Sequence, residues 1–246
     1  MPPRKQAAVA AQTAACVPGI RIAVDEWRGG GYQGVTDTTR TLMNHWFVRE
    51  HRDQSGKRFA YYPAQREAIE TLIYLYEVAG VRRHKDLLEA FSSTPGLHIL
   101  QYDDFARYAV KMATGSGKTK VMSLVIAWQY FNAVAEGRED YAKTFLLLAP
   151  NVIVFDRLRS DFVNGNIFKL DPVIPPELRI YWDMAFYMRH DGEGVGSQGA
   201  VYLTNIQQLY QSKPKEADEP LPMTAVLGAA PSNTINEQQE LADRLV

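Results

Sequence analysis

Beyond residue 60 the apolar positions switch repeatedly between helical spacing and unbroken runs. In YYPAQREAIETLIYLYEVAG (residues 61–80), Ala64, Ala68, Ile69, Leu72, Ile73 and Leu75 recur at helical spacing, which predicts one helix with a buried face. Pro63 suits its first turn and Gly80 its end. A basic cluster, Arg82, Arg83, His84 and Lys85, leads into a second predicted helix through Leu87, Leu88 and Phe91, closed by the loop SSTPG (92–96). RYAVKM (107–112) alternates in polarity and reads as a short strand. KVMSLVIAWQYFNAVAEG (120–137) is apolar on most sides, as expected of a largely buried helix ending near Gly137. TFLLLA (144–149) is a continuous apolar run stopped by Pro150, the character of a strand in a parallel sheet. Strand, glycine loop, helix and strand make one βαβ unit, and hence an α/β fold with a parallel sheet flanked by helices.

Downstream, the pattern predicts a helix over 152–162, a Pro-rich turn at 171–177 and a strand LRIYW at 178–182. A glycine-rich loop (190–199), a short buried strand AVYLT (200–204) and a helix starting at Asn205 follow. Residues 213–222 form a charged, Pro-flanked linker, and 233–246 return to helical pattern through Ile235, Leu241 and Leu245. The first part of the chain is less regular. Gly29, Gly30 and Gly31 read as a flexible break, 36–48 as a short helix or an irregular run, and 49–58 as a charged turn. Together they suggest a solvated connector. The alanine-rich start has a basic residue pair and small residues before Cys16. Its apolar core is broken by Gln12 and too weak for an export signal, so a disordered tail is expected. Residues 1–58 are thus an N-terminal extension, partly disordered, and 59–246 carry the main domain.

Composition changes this picture in two places. The formal net charge is −1, so no overall field advertises a polyanionic partner, and a nucleic-acid surface must be a local patch. Cys16 is the single cysteine, which excludes an intramolecular disulfide and a multi-cysteine metal site and points to a reducing cytoplasm. No stretch approaches the ~18 apolar residues that a membrane-spanning helix needs.

The chemistry lies at MATGSGKT (112–119), between the strand and the apolar helix. Successive backbone amides at a helix N-terminus make a concave nest for anions. Gly115 and Gly117 permit backbone turns that a Cβ would obstruct. Thr114 and Ser116 complete the loop, Lys118 is placed to reach the β- and γ-phosphates of ATP, and the Thr119 hydroxyl to sit on Mg²⁺. The general pattern wants glycine at 112, where this chain has Met112.

With Met-Ala-Thr ahead of Gly-Ser-Gly-Lys-Thr, the loop resembles motif I of superfamily 2 helicases and translocases, in particular the helicase subunits of type I and type III restriction enzymes. In that group a non-glycine at this position is ordinary. YYPAQREAI resembles the segment upstream of motif I, and the resemblance implies that the Gln65 amide reads the adenine edge. The long spacing to the loop makes the basic segment around Arg82 an insertion. FLLLAPNVIVFDRL (145–158) is similar to motif Ia, which implies DNA contacts from Asn151, Arg157 and Arg159. A solvated helix face explains those arginines equally well. AVYLTNIQQLY is similar to motif Ib of type III subunits, with Thr204 and Asn205 leaving the strand toward DNA. The resemblance spans 61–210 and implies a P-loop, RecA-like first helicase domain acting on double-stranded DNA. Lys118 would stabilise transferred phosphoryl charge, and a DNA methyltransferase subunit is a possible partner.

That family also needs an acidic Asp-Glu motif after a buried strand. The Asp-Glu pairs here are Asp25-Glu26, ahead of the loop, and Asp218-Glu219, in the charged linker, and neither qualifies. The chain is therefore expected to be the front portion of a longer enzyme, its first RecA-like domain incomplete at the C-terminus, binding nucleotide without turnover on its own. A P-loop kinase or packaging ATPase, and a non-enzymatic nucleotide- or DNA-binding fragment, remain alternatives.

Overall fold

The computed structural model describes residues 16–94, 105–188 and 196–206. Two helices come first, α1 (Val17–Gly29) and α2 (Asp37–Phe47), then an antiparallel hairpin of β1 (His51–Arg52) and β2 (Arg58–Phe59). Helix α3 (Pro63–Ile73) widens into a π turn at Tyr74–Val78 and is followed by α4 (His84–Phe91). The long α5 (Lys118–Ala135) leads to β3 (Thr144–Ala149), α6 (Val152–Phe162) and the short α7 (Asn166–Leu170). With β4 (Met184–Met188) and β5 (Gly199–Asn205), β3 forms a parallel three-stranded sheet in the order β3-β5-β4.

Helix α5 is the axis of the core. Leu124, Ala127, Trp128, Tyr130 and Phe131 are buried on several of its sides, as a run without a polar stripe requires. Ile69 and Ile73 of α3 and Leu42, Met43 and Trp46 of α2 belong to the same cluster. On the sheet, Leu147 stands opposite Leu203, and Leu203 opposite Met188, so one buried apolar row crosses all three strands. Phe155, Leu158 and Phe162 of α6 join the same core. Phe168 of α7 packs its ring 5.6 Å from that of Phe186 on β4. Each large side chain buried in this way contributes about 1.5–3 kcal/mol.

Three expectations are corrected. Residues 17–47 are no solvated connector: α1 and α2 place Val24, Trp27, Leu42, Met43 and Trp46 in the core. The three glycines form a tight turn, in which the Tyr32 amide bonds to the Trp27 carbonyl at 3.0 Å. The helical stripe of α2 was hidden because Thr38, Thr39 and His45 are buried among its apolar residues. The segment 107–112 is not a strand, since no neighbouring strand among the described residues offers it a ladder. Residues 178–182 form no strand either. Pro176 starts a 3₁₀ turn, Pro176–Tyr181, that leaves Ile180 87% exposed, and the strand begins at Met184. The alanine-rich start, the loop at 190–195, the charged linker and the last helical segment lie outside the described residues.

Candidate phosphate-binding site

The loop at 112–117 owes its shape to two glycines. Gly115 and Gly117 each have φ of 80°, in the left-handed region that side chains disfavour. Gly117 is also the N-cap of α5, so the chain turns directly from the loop into the helix axis. The amides of Lys118 and Thr119 head that helix and have no intrahelical acceptor, and the positive end of the helix dipole lies with them. The loop closes on the Ala113 carbonyl, which accepts from the Ser116 amide at 3.3 Å, the Ser116 hydroxyl at 2.7 Å and the Lys118 ammonium at 2.9 Å. Lys118 is exposed and, among the described residues, pairs with no carboxylate. Its charge therefore stays available to an anion over the loop. Thr114 is exposed on the rim, and Thr119 is half-buried one residue into the helix.

Gln65 stands behind the loop. Its side chain is 1% exposed, its Nε2 donates to the Ser116 carbonyl at 2.9 Å, and its Oε1 accepts from the Tyr62 amide at 2.9 Å. Both ends of the amide are therefore engaged within the protein, one on the loop and one at the start of α3. The edge that the family resemblance assigns to adenine is turned inward here.

Lys120, in the first turn of α5, is held by the Asp171 carboxylate after α7 and lies 5.1 Å from the centre of the Phe59 ring. Burial raises the pKa of nearby Asp161; Lys120 acts against that shift and Asp171 with it. Burial and Asp171 also push the Tyr61 hydroxyl well above its ordinary range. This cluster ties the first turn of α5 to the β2 and α7 side of the fold. Sequence reasoning missed it, although a lysine directly after the Lys-Thr pair was a visible signal. It also missed Glu70, a charged residue set between Ile69 and Ile73 on the apolar face of α3.

The residues expected to face DNA divide into two groups. Asn151 caps α6, its Oδ1 accepting from the Val154 amide at 2.9 Å, and Arg157 and Arg159 are exposed further along that helix. Thr204 and Asn205, at the end of β5, are 8% and 1% exposed, and so present almost no surface. A separate groove of about 1130 Å³, lined by His45, His51, Asp171, Arg179, Trp182 and Phe186 among others, includes no residue of the phosphate loop.

A family model described as type III restriction enzyme, res subunit, matches residues 58–240. No curated protein and no solved structure matches the chain. Among the described residues no helix is long and apolar enough to cross a membrane.

Proposed function

Because the chain belongs to the res-subunit family of type III restriction enzymes, we propose that its loop at 112–119 binds the phosphates of ATP and that the chain is the ATP-binding portion of a DNA helicase or translocase subunit. The family is helicase-related and ATP-dependent, and the observation that carries the reading is the loop itself. Gly117 in the left-handed region turns it into α5 with two amides ahead that have no intrahelical acceptor, while the ammonium of Lys118, which meets no carboxylate among the described residues, stays beside them on the Ala113 carbonyl. Lys118 and those amides hold phosphate oxygens and stabilise charge on the γ-phosphoryl. The Thr119 hydroxyl takes the Mg²⁺ that accompanies ATP. Gln65 supports the loop from behind, and an adenine contact requires it to release Ser116 or Tyr62.

Double-stranded DNA is the polymer this family suggests, with Asn151 and Arg157 as the contacts that remain at the surface. A DNA methyltransferase subunit and a cytoplasmic setting belong to the same reading. Neither Asp-Glu pair of the sequence directly follows an apolar run, Asp25-Glu26 preceding the loop and Asp218-Glu219 lying in the charged, Pro-flanked stretch, so neither matches the pair that places Mg²⁺ and the attacking water in such ATPases. The chain therefore binds nucleotide with negligible turnover. Steady-state phosphate release, measured with and without duplex DNA, tests this. A clear rate that Lys118→Ala abolishes would overturn the absence of turnover. Loss of any ATP·Mg²⁺-dependent thermal shift in the unaltered protein would overturn the site.

A further inference from the structure

We propose that α1 and the turn after it, which precede the matched family segment, brace the phosphate loop through α3, and that Glu70, Arg28 and Tyr32 are positioning residues for nucleotide binding. The proposal rests on reading residues 112–119 as a nucleotide site. Apart from bonds made within 112–121, one hydrogen bond among the described residues reaches residues 112–117: that of Gln65 Nε2 to the Ser116 carbonyl, at 2.9 Å. The segment leading into the loop has no ladder partner there and is moored upstream of it, by the Tyr108 hydroxyl on the Val81 carbonyl. The placement of residues 112–117 themselves therefore depends on where α3 presents the Gln65 amide.

That placement is set five residues further along α3. The Glu70 carboxylate is completely buried. It accepts from Arg28 of α1 through Nε at 2.9 Å and Nη2 at 2.5 Å, from Arg66 Nε at 2.7 Å and from the Tyr32 hydroxyl at 2.5 Å. Arg66, the neighbour of Gln65, also donates to the Tyr32 hydroxyl at 2.6 Å. Guanidinium–carboxylate bonds are directional, so this cluster fixes the rotation of α3 about its axis as well as its distance from α1. Side-chain tips lie about 5–6 Å from a helix axis, so a rotation of about 20° carries the Gln65 amide about 2 Å. A hydrogen bond does not survive that displacement. Tyr32, with φ of 57°, holds its hydroxyl over Glu70 from a left-handed turn, and the turn is thereby part of the brace.

The test uses the full 246-residue chain and a fluorescent ADP analogue with Mg²⁺. Affinities are read well below each variant's unfolding midpoint, so that only folded protein is compared. Arg28→Met removes the link from α1 to the buried Glu70 without altering α3 or the loop, and leaves the exposed Arg21–Glu67 pair in place. It is expected to raise Kd about tenfold, with Arg28→Lys restoring part of the loss. Tyr32→Phe, which deletes one hydroxyl, is expected to raise Kd several-fold and serves if Arg28→Met does not fold. Amide exchange at Ser116 and Gly117 is expected to quicken in both variants, while amides of the buried middle of α5 keep their protection. An unchanged Kd in both variants, whatever happens to their unfolding midpoints, would make the cluster purely structural and overturn the proposal. A parent protein that fails to bind the analogue, or a Lys118→Ala variant that binds it equally well, would instead overturn the nucleotide reading, and this proposal with it.

Discussion

A Cβ placed on Gly117 would lie 2.1 Å from the Nε2 of Gln65, so the phosphate loop and α3 touch with no room for a larger residue between them. The φ of 80° adds a backbone cost. Gly117→Ala is expected to destabilise the fold by roughly 2 kcal/mol, from strain in the left-handed region and displacement of the Gln65 amide. Urea unfolding would measure the loss, and the same variant should show no protection by nucleotide.

Lys118→Ala should separate binding from folding. The side chain is exposed and its one hydrogen bond among the described residues is to a loop carbonyl, so stability without ligand is expected to stay within about 0.5 kcal/mol. In the parent protein, nucleotide at a hundred times Kd should add about 2.7 kcal/mol. In the variant that increment should be absent, as thermal unfolding with and without ATP·Mg²⁺ would show.

Glu77 accepts from the Trp128 indole at 2.6 Å, the Thr39 hydroxyl at 2.6 Å and the Thr36 amide at 3.1 Å, joining α2, the π turn and α5. Trp128 and Thr39 are buried, so Glu77→Ala leaves two donors without acceptors. A loss of roughly 2–6 kcal/mol is expected, at about 1–3 kcal/mol for each stranded group. Denaturant titration of the two proteins measures it, and a loss below 1 kcal/mol would show that water reaches the site.

The ring of His45 is buried with neither nitrogen hydrogen-bonded, and burial, then His51 and Arg49, push its pKa down to about 4. The unfolded chain takes up that proton near pH 6.5. The folded state therefore resists a proton that the unfolded state accepts, and stability is lost as pH falls from about 6.5 toward 4. Between pH 7 and pH 4.5 this one group should remove roughly 2 kcal/mol. His45→Gln should flatten that part of the stability profile, and an unchanged slope would exclude His45 as its source.

Helices α5 and α6 and strands β3 and β5 were legible because each carries an unbroken apolar run or a helical stripe that one period describes. The N-terminal helices were not. Their burial depends on partners far along the chain, such as Asn132, which donates to the Thr39 hydroxyl at 2.9 Å, and on polar side chains that local patterning counts as exposed. Residues 178–182 misled because an apolar run was weighed above Pro175 and Pro176, whose fixed backbone starts a 3₁₀ turn. At the site, the loop followed from its residues alone. The inward turn of Gln65 did not, because a capping interaction at Tyr62 and the approach of Ser116 decide it, and neither leaves a mark in the sequence.

The π turn at Tyr74–Val78 acts as a phase adjustment. There the Ala79 amide reaches back five residues to the Tyr74 carbonyl at 2.8 Å, so the helix takes in more residues per turn than a regular one. Everything after it is offset accordingly, including Val81, whose carbonyl receives the Tyr108 hydroxyl from the segment that leads into the phosphate loop. The number of residues in one helix, and not their character alone, thus sets where the approach to the loop is moored. Removing the exposed Val78 would keep a helix there and shift that mooring by one residue.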